Sequence, residues 1–335
     1  MQSDEWTQGP MRSRDDEQRD REDAKAWRLL ENTLQASIVE QRRSRRWGIF
    51  FKTLTFAYLF FAIMLFSPMG GLGEGKSSNR PHTAVVELRG AIADLQEASA
   101  DNLVTSLRRA FEHENTRGVV LRINSPGGSP VQSGYVYDEI KRLRAKHPDI
   151  RLYAVIADIG ASGAYYIAAA ADEIYADKAS LVGSIGVTAA GFGFVETLDK
   201  LGIERRTYAA GEHKTFLDPF QPERDDERAF WQSVLDRTHR QFIEQVKAGR
   251  GERLRDDPEI FSGLVWSGEQ ALELGLVDGL ASTATVARDV IGAEDIVDFT
   301  YRESPFVRFT RQLGTSIGSG AAAQLGLGGG MPALR

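Results

Sequence analysis

From residue 84 onward, short apolar runs alternate with longer stretches in which apolar positions recur at helical spacing. The runs 84–89, 118–123, 152–157, 173–176 and 203–208 have the length and the β-branched and aromatic content of strands. The stretches 100–113, 131–146, 163–171, 194–201 and 225–248 carry the period of helices. Further on, Ser267 stands three residues before Gln270 as a capping pair, and a last helix is expected over 282–291. Strands and helices in strict alternation predict an α/β domain with a mainly parallel sheet. The 225–248 helix places Phe230, Trp231, Leu235, Phe242 and Val246 at near-helical spacing, a stripe for packing within the domain or between subunits.

The pattern before residue 84 is different. Arg42, Arg43, Arg45 and Arg46 precede Trp47, and residues 47–67 are apolar apart from Lys52 and a few hydroxyl or glycine positions. Twenty-one such residues can cross a hydrocarbon core of about 30 Å, and Lys52 is near enough to the arginine end to snorkel. A cleaved signal peptide fits less well, since 41 residues precede the arginines and 67–71 lack an Ala-x-Ala site. The arginines put the N-terminus in the cytoplasm and the following domain outside. The expected division is a charged segment 1–46, an anchor 47–68, a linker 69–82, the α/β domain 83–300 and a Gly/Ala/Ser-rich tail 301–335. Within the first segment Ala26, Trp27, Leu30, Leu34 and Ile38 recur at helical spacing.

Composition narrows the chemistry. The 335 residues are 42% hydrophobic, enough for a substantial core, and the net charge of −6 argues against a nucleic-acid partner. With no cysteine, disulfides and thiolate chemistry are excluded. The five histidines are scattered and no phosphate or dinucleotide glycine motif appears, so neither a metal nor a cofactor is called for.

The chemistry-bearing stretch is Ala-Ser-Gly-Ala-Tyr-Tyr at 161–166. Ser162 sits among small residues where a strand passes into a helix, which would turn its hydroxyl toward a cleft and aim the Gly163 amide at developing negative charge. Upstream, Asn-Ser-Pro-Gly-Gly at 124–128 closes another strand, and glycine there lets bare N–H groups approach a ligand. Each piece alone is ordinary: a turn, a small-residue contact, a solvated lysine.

These pieces together, with Val-Gly-Ser-Ile-Gly-Val at 182–187 and Ala-Gly-Glu-His-Lys at 210–214, resemble the S49 peptidases, the signal peptide peptidase A and SohB group. The resemblance implies a Clp protease/crotonase-like fold and a serine endopeptidase. It also implies Ser162 as nucleophile, Lys214 as general base, Ser184 as the residue orienting the lysine, and Gly128 and Gly163 as the oxyanion hole. His213 stands where the family often has tyrosine. It is the one histidine rival for the base, and His113 and His147 read as surface residues. A lysine acts as base only when neutral, whereas free lysine keeps its proton to about pH 10.4, so a water-poor setting from Phe216, Leu217 and Phe220 is expected. Tyr165, Val187 and Phe194 are expected to line an apolar groove. The implied partners are peptides, remnant signal peptides above all, the lipid bilayer of a bacterial inner membrane, and further copies of the chain in a ring. A crotonase-type acyl-CoA enzyme and a non-catalytic membrane quality-control scaffold are the alternative readings.

Overall fold

The computed structural model describes residues 42, 43, 45–63 and 80–302. The amphipathic stretch 26–38, most of the linker and the tail from 303 lie outside the described residues. Two units are described separately: an N-terminal helix and the domain that begins at residue 80. The first is helix α1, Arg45–Ile63, none of whose 19 residues is buried and which is long and apolar enough to cross a membrane. Residues 64–68 of the expected anchor lie outside the described residues.

The domain is built on a sheet of eight strands, β1 (His82–Arg89), β2 (Thr116–Ser125), β3 (Arg151–Ala161), β4 (Glu173–Ala176), β5 (Leu181–Gly183), β6 (Val265–Ser267), β7 (Gly279–Leu280) and β8 (Ile296–Asp298). Its main path runs β6-β5-β3-β2-β1-β8, and only the β5–β6 pair is antiparallel. The first half of β3 pairs with β4, from Tyr153 opposite Glu173 to Ile156 opposite Ala176, whereas its last residues leave β4 and pair with β5, Ala161 opposite Gly183. The sheet therefore splits at the C-terminal end of β3, and Ser162 follows directly.

Alternation along the strands distributes the core. Val86, Leu88, Val119, Leu121, Ile123, Leu152 and Ile156 face helices α2 (Ala100–Glu112) and α3 (Pro130–Lys146), which contribute Leu103, Leu107, Phe111, Ile140 and Leu143. Val85, Val120, Tyr153 and Val155 face the other way and are covered by Val286 and Ile291. Burial on both faces is why these strands read as near-continuous apolar runs. Short α4 (Gly163–Ala168) is fully buried; beyond it the chain tightens into three-residue turns instead of staying helical to 171. After α5 (Val195–Leu201), the long helix α6 (Asp225–Arg250) returns over α4. The two touch so closely that a side chain at Gly249 would meet the Ala169 carbonyl at 1.9 Å. A capping box opens α7 (Gly268–Glu273), and the last helical segment, α8 (Thr283–Thr285), widens into π-type turns through Ile291.

One ionic group locks this assembly. Arg250, at the end of α6, is 2% exposed and grips Asp278 with two bonds of 2.7 and 2.9 Å. Asp278 also accepts the Ile174 amide at 2.7 Å, and Arg253 adds a bond of 3.1 Å. Burial disfavours the Asp278 charge, but Arg250, the Ile174 amide and Arg253 together outweigh it and hold the carboxyl below its ordinary range.

Residues 203–208 are not a strand. Ile203 is 52% and Tyr208 91% exposed, and no neighbouring strand offers a ladder to pair with. Strand propensity without a partner edge does not make a strand. His113 and His147 are half-buried rather than superficial; the His113 ring packs 4.8 Å from buried His82 and 5.3 Å from Phe299.

Candidate active site

Ser162 joins β3 to α4 in a conformation that L-residues rarely adopt, with φ 52° and ψ −125°. Such a residue costs about 1–3 kcal/mol and persists only where its surroundings over-determine it. Here its N–H donates to the Gly183 carbonyl at 2.8 Å and its carbonyl accepts the Tyr166 amide at 3.0 Å. Its hydroxyl makes no capping bond to α4 and faces a cavity of about 560 Å³.

The turn after β2 lies directly against Ser162. Ser125, fully buried, accepts the Gly127 amide on its Oγ at 3.1 Å. Ile92 then clamps the turn from behind: its N–H donates to Gly127 and its carbonyl accepts from Ser129, both at 2.8 Å. The Gly128 N–H takes part in none of these bonds. The Gly163 N–H, at the first position of α4, has no carbonyl one turn earlier in its helix to bond. The two amides are neighbours, since a Cβ built on Gly163 would lie 3.4 Å from the Gly128 nitrogen. No side chain fits at either glycine. A Cβ on Gly128, at φ 149°, would stand 2.1 Å from the Ile92 oxygen, and one on Gly163 would stand 2.5 Å from Ser133 Oγ.

Ser184 lines the same cavity and is also at positive φ, 50°. Its N–H donates to Leu264 at 2.7 Å. The apolar part of the wall is Tyr166, Val187 and Phe242; Thr238 and Gln241 add polar groups from α6. Val187 is thus where the groove was expected, but Tyr165 and Phe194 are not. Tyr165 is fully buried with its hydroxyl on the Leu276 carbonyl at 2.6 Å, because the helical step rotates its neighbour toward the cavity instead. Burial pushes the Tyr166 hydroxyl up to about 12, so it stays protonated. Phe194 stacks on Phe220 at 5.4 Å, away from the cavity.

Lys214 is not in this cavity. It lies exposed in the turn region before α6, as do His213, Leu217 and Phe220, so the expected water-poor setting is not formed within one chain. The turn is tied down by its neighbours rather than by the cavity: Phe216 packs against Phe230 and Trp231 at 5.8 and 6.0 Å, the Leu217 N–H donates to Glu227 at 3.2 Å and Asp218 pairs with Arg205 at 2.8 Å. The structure brings together Ser162, Gly128, Gly163 and Ser184 and leaves Lys214 apart. The contributions of Ile92 and Ser133 had no sequence signal, whereas the i, i+3, i+4 spacing of Thr238, Gln241 and Phe242 does mark one helix face. Among the described residues no cluster of His, Asp or Glu has a metal-binding arrangement.

A free hydroxyl on a strained strand-to-helix corner, beside two unengaged amides, defines a site of the serine-hydrolase class. Residues 144–294 match the model of Peptidase family S49. A relative from Enterococcus faecium named after signal peptide peptidase SppA is 30% identical over 240 residues, 69% of each chain. "Protease 4" of Haemophilus influenzae is 30% identical over 206 residues, covering 59% of this chain and 32% of that protein. Over 186 residues, 56% of this chain, the sequence is 46% identical to a protein of Brucella melitensis named "Na(+)/H(+) antiporter NhaA". The chain spans about a quarter of that protein's length, and of its Brucella abortus counterpart. The chain belongs to peptidase family S49, a family of serine proteases. Ser162, Ser184 and Lys214 fall inside the matched stretch; Gly128 precedes it.

Proposed function

We propose that this chain is a membrane-anchored serine endopeptidase with a Ser162–Lys214 dyad that cuts remnant signal peptides and other short apolar peptides. The observation that carries the reading is Ser162 itself, held at φ 52° with an unengaged hydroxyl beside the amides of Gly128 and Gly163. Residues 83–300 would be the peptidase domain, of Clp protease/crotonase type. α1 would be the anchor, with the arginines before it on the cytoplasmic side of a bacterial inner membrane.

In this reading Ser162 Oγ attacks the peptide carbonyl while Lys214 Nζ takes its proton. The oxyanion is held by the N–H groups of Gly128 and Gly163, and Ser184 orients the lysine. The carbon–nitrogen bond then breaks, Lys214 returns the proton to the leaving amine, and an acyl group stays on Ser162. Water, deprotonated by the same lysine, attacks the acyl carbon; the bond to Ser162 Oγ breaks, the lysine returns its proton to Oγ, and the acid leaves and ionises to a carboxylate. The exposure of Lys214 supports a homo-oligomer in which it enters a neighbour's cavity and loses water there. The relatives' names and the Tyr166, Val187 and Phe242 wall support an apolar peptide as substrate.

The test is labelling with a fluorophosphonate. The probe should modify the wild type at Ser162 and leave Ser162→Ala untouched. Peptides with Leu, Ala or Phe before the cut should turn over faster than those with Asp or Lys. An unlabelled Ser162, or equal turnover of acidic and apolar peptides, counts against the reading.

A further inference from the structure

The wall that α6 gives to the cavity carries a side chain aimed at the turn behind it. His239, half-buried between Thr238 and Gln241, places Nε2 3.1 Å from the carbonyl oxygen of Ile185. A carbonyl only accepts, so Nε2 carries the hydrogen and donates. Ile185 is fully buried and follows Ser184, which is strained at φ 50° directly after Gly183, whose φ of 106° glycine adopts freely.

Beside the pairing of Gly183 with β3 and β6, three hydrogen bonds of that turn bear on the site. The Ser184 N–H donates to Leu264 at 2.7 Å, the Gly183 carbonyl accepts the Ser162 N–H at 2.8 Å, and the Ile185 carbonyl accepts from His239. The first tie fixes Ser184 and the second fixes Ser162, so both serines depend on where the turn sits. The third joins this turn by a hydrogen bond to the helix that supplies Thr238, Gln241 and Phe242 to the wall. A strained segment relaxes when a tie is removed, and small displacements of a reacting group cost rate while leaving binding nearly intact.

We propose that His239 is a positioning residue that holds the Gly183–Gly186 turn, and through it Ser162 and Ser184, in register with the α6 wall. This rests on the reading of Ser162 as the nucleophile. The histidine acts as a hydrogen-bond donor and takes no proton in the reaction.

The test uses the full-length chain and three variants, reading kcat and KM on an apolar peptide, fluorophosphonate labelling rate and Tm. His239→Phe keeps a ring but removes the donor, His239→Gln keeps an N–H donor, and Ser162→Ala is the control. The phenylalanine variant should lose about tenfold in kcat and labelling rate, as for one lost buried hydrogen bond, with KM within about twofold. The glutamine variant should recover most of that loss. Wild-type kcat in His239→Phe, or a glutamine variant as slow as it, would overturn the proposal. If His239→Phe does not fold, His239→Met removes the donor with a more adaptable side chain; the same split is expected, and wild-type kcat again overturns the idea. Turnover surviving in Ser162→Ala would instead remove the serine-peptidase reading, whatever His239 does.

Discussion

Two parts of the domain carry the proposed chemistry under opposite physical conditions. Ser162, Gly128 and Gly163 stand at the ends of β2 and β3, backed by buried Ser125, Ile92 and α4. The packing there is tight enough to hold two serines at positive φ. Lys214 stands on a stretch between Gly191 and Phe230 in which few residues are even half-buried and apolar side chains such as Phe192, Leu201 and Tyr208 meet solvent. The first part is preorganised by the domain's own core. The second has too little burial within one chain to fix a lysine or to strip it of water, and the proposed dyad would need another surface to finish it.

Breaking each part separately should give different signatures. Lys214→Ala should lower peptidase activity by about a thousandfold or more while leaving the Tm of the dissociated chain unchanged, because within one chain the side chain contacts solvent. Lys214→Arg should be equally inactive, since a guanidinium stays protonated. Retention of more than about a tenth of the rate in Lys214→Ala would remove it as the base. On the packed side, Arg250→Ala leaves the Asp278 charge buried and should cost about 3–5 kcal/mol by denaturant unfolding, with kcat per folded molecule preserved. Tyr208→Ala, the matched change on the exposed stretch, should stay within about 0.5 kcal/mol. Gly128→Ala should lower kcat by about a hundredfold or more, because the Ile92 oxygen forces the oxyanion amide out of place.

The smallest effect is a pH dependence on the α2–α3 pair. The hydrogen-bonded guanidinium of Arg142, with Arg108, holds the Glu139 carboxyl at about 2, below its ordinary 4.5. A depressed carboxylate stabilises the fold above its unfolded value and loses that contribution as pH falls from about 4.5 toward 2. Both arginines are half-exposed, so the contribution is about 1 kcal/mol at most. The Tm gap between wild type and Glu139→Gln should therefore close over that acid range, and a gap independent of pH would refute the assignment.

The same contrast decides what the sequence could tell. Strands β1 to β4 and helices α2 and α3 lie where burial is strong, and α6 is long enough to show its period although only Phe242 and Val246 of its expected stripe are buried, so these patterns were legible to within a few residues. β5 to β8 are two or three residues long and hold no period to detect. The run 203–208 had strand-like residues but no edge to pair with, and pairing is a tertiary fact. At the site, the motifs placed Ser162, Gly128, Gly163 and Ser184 around one cavity. They could not tell Tyr165 from Tyr166, because two adjacent tyrosines at a helix start differ only by a rotation of about 100°. The setting of Lys214 was illegible for another reason: nothing in one chain's pattern says which surface will cover an exposed turn.

The most direct measurement mixes two inactive proteins. Ser162→Ala supplies an intact lysine and Lys214→Ala an intact serine; they are dissociated, combined in equal amounts and reassembled. If Lys214 completes a neighbour's site, random assembly pairs an intact serine with an intact lysine in about one site in four, and activity should return to about that fraction of wild type. No recovery, with subunit exchange demonstrated independently, would mean that each chain closes its own site and that the exposed turn moves inward without a partner.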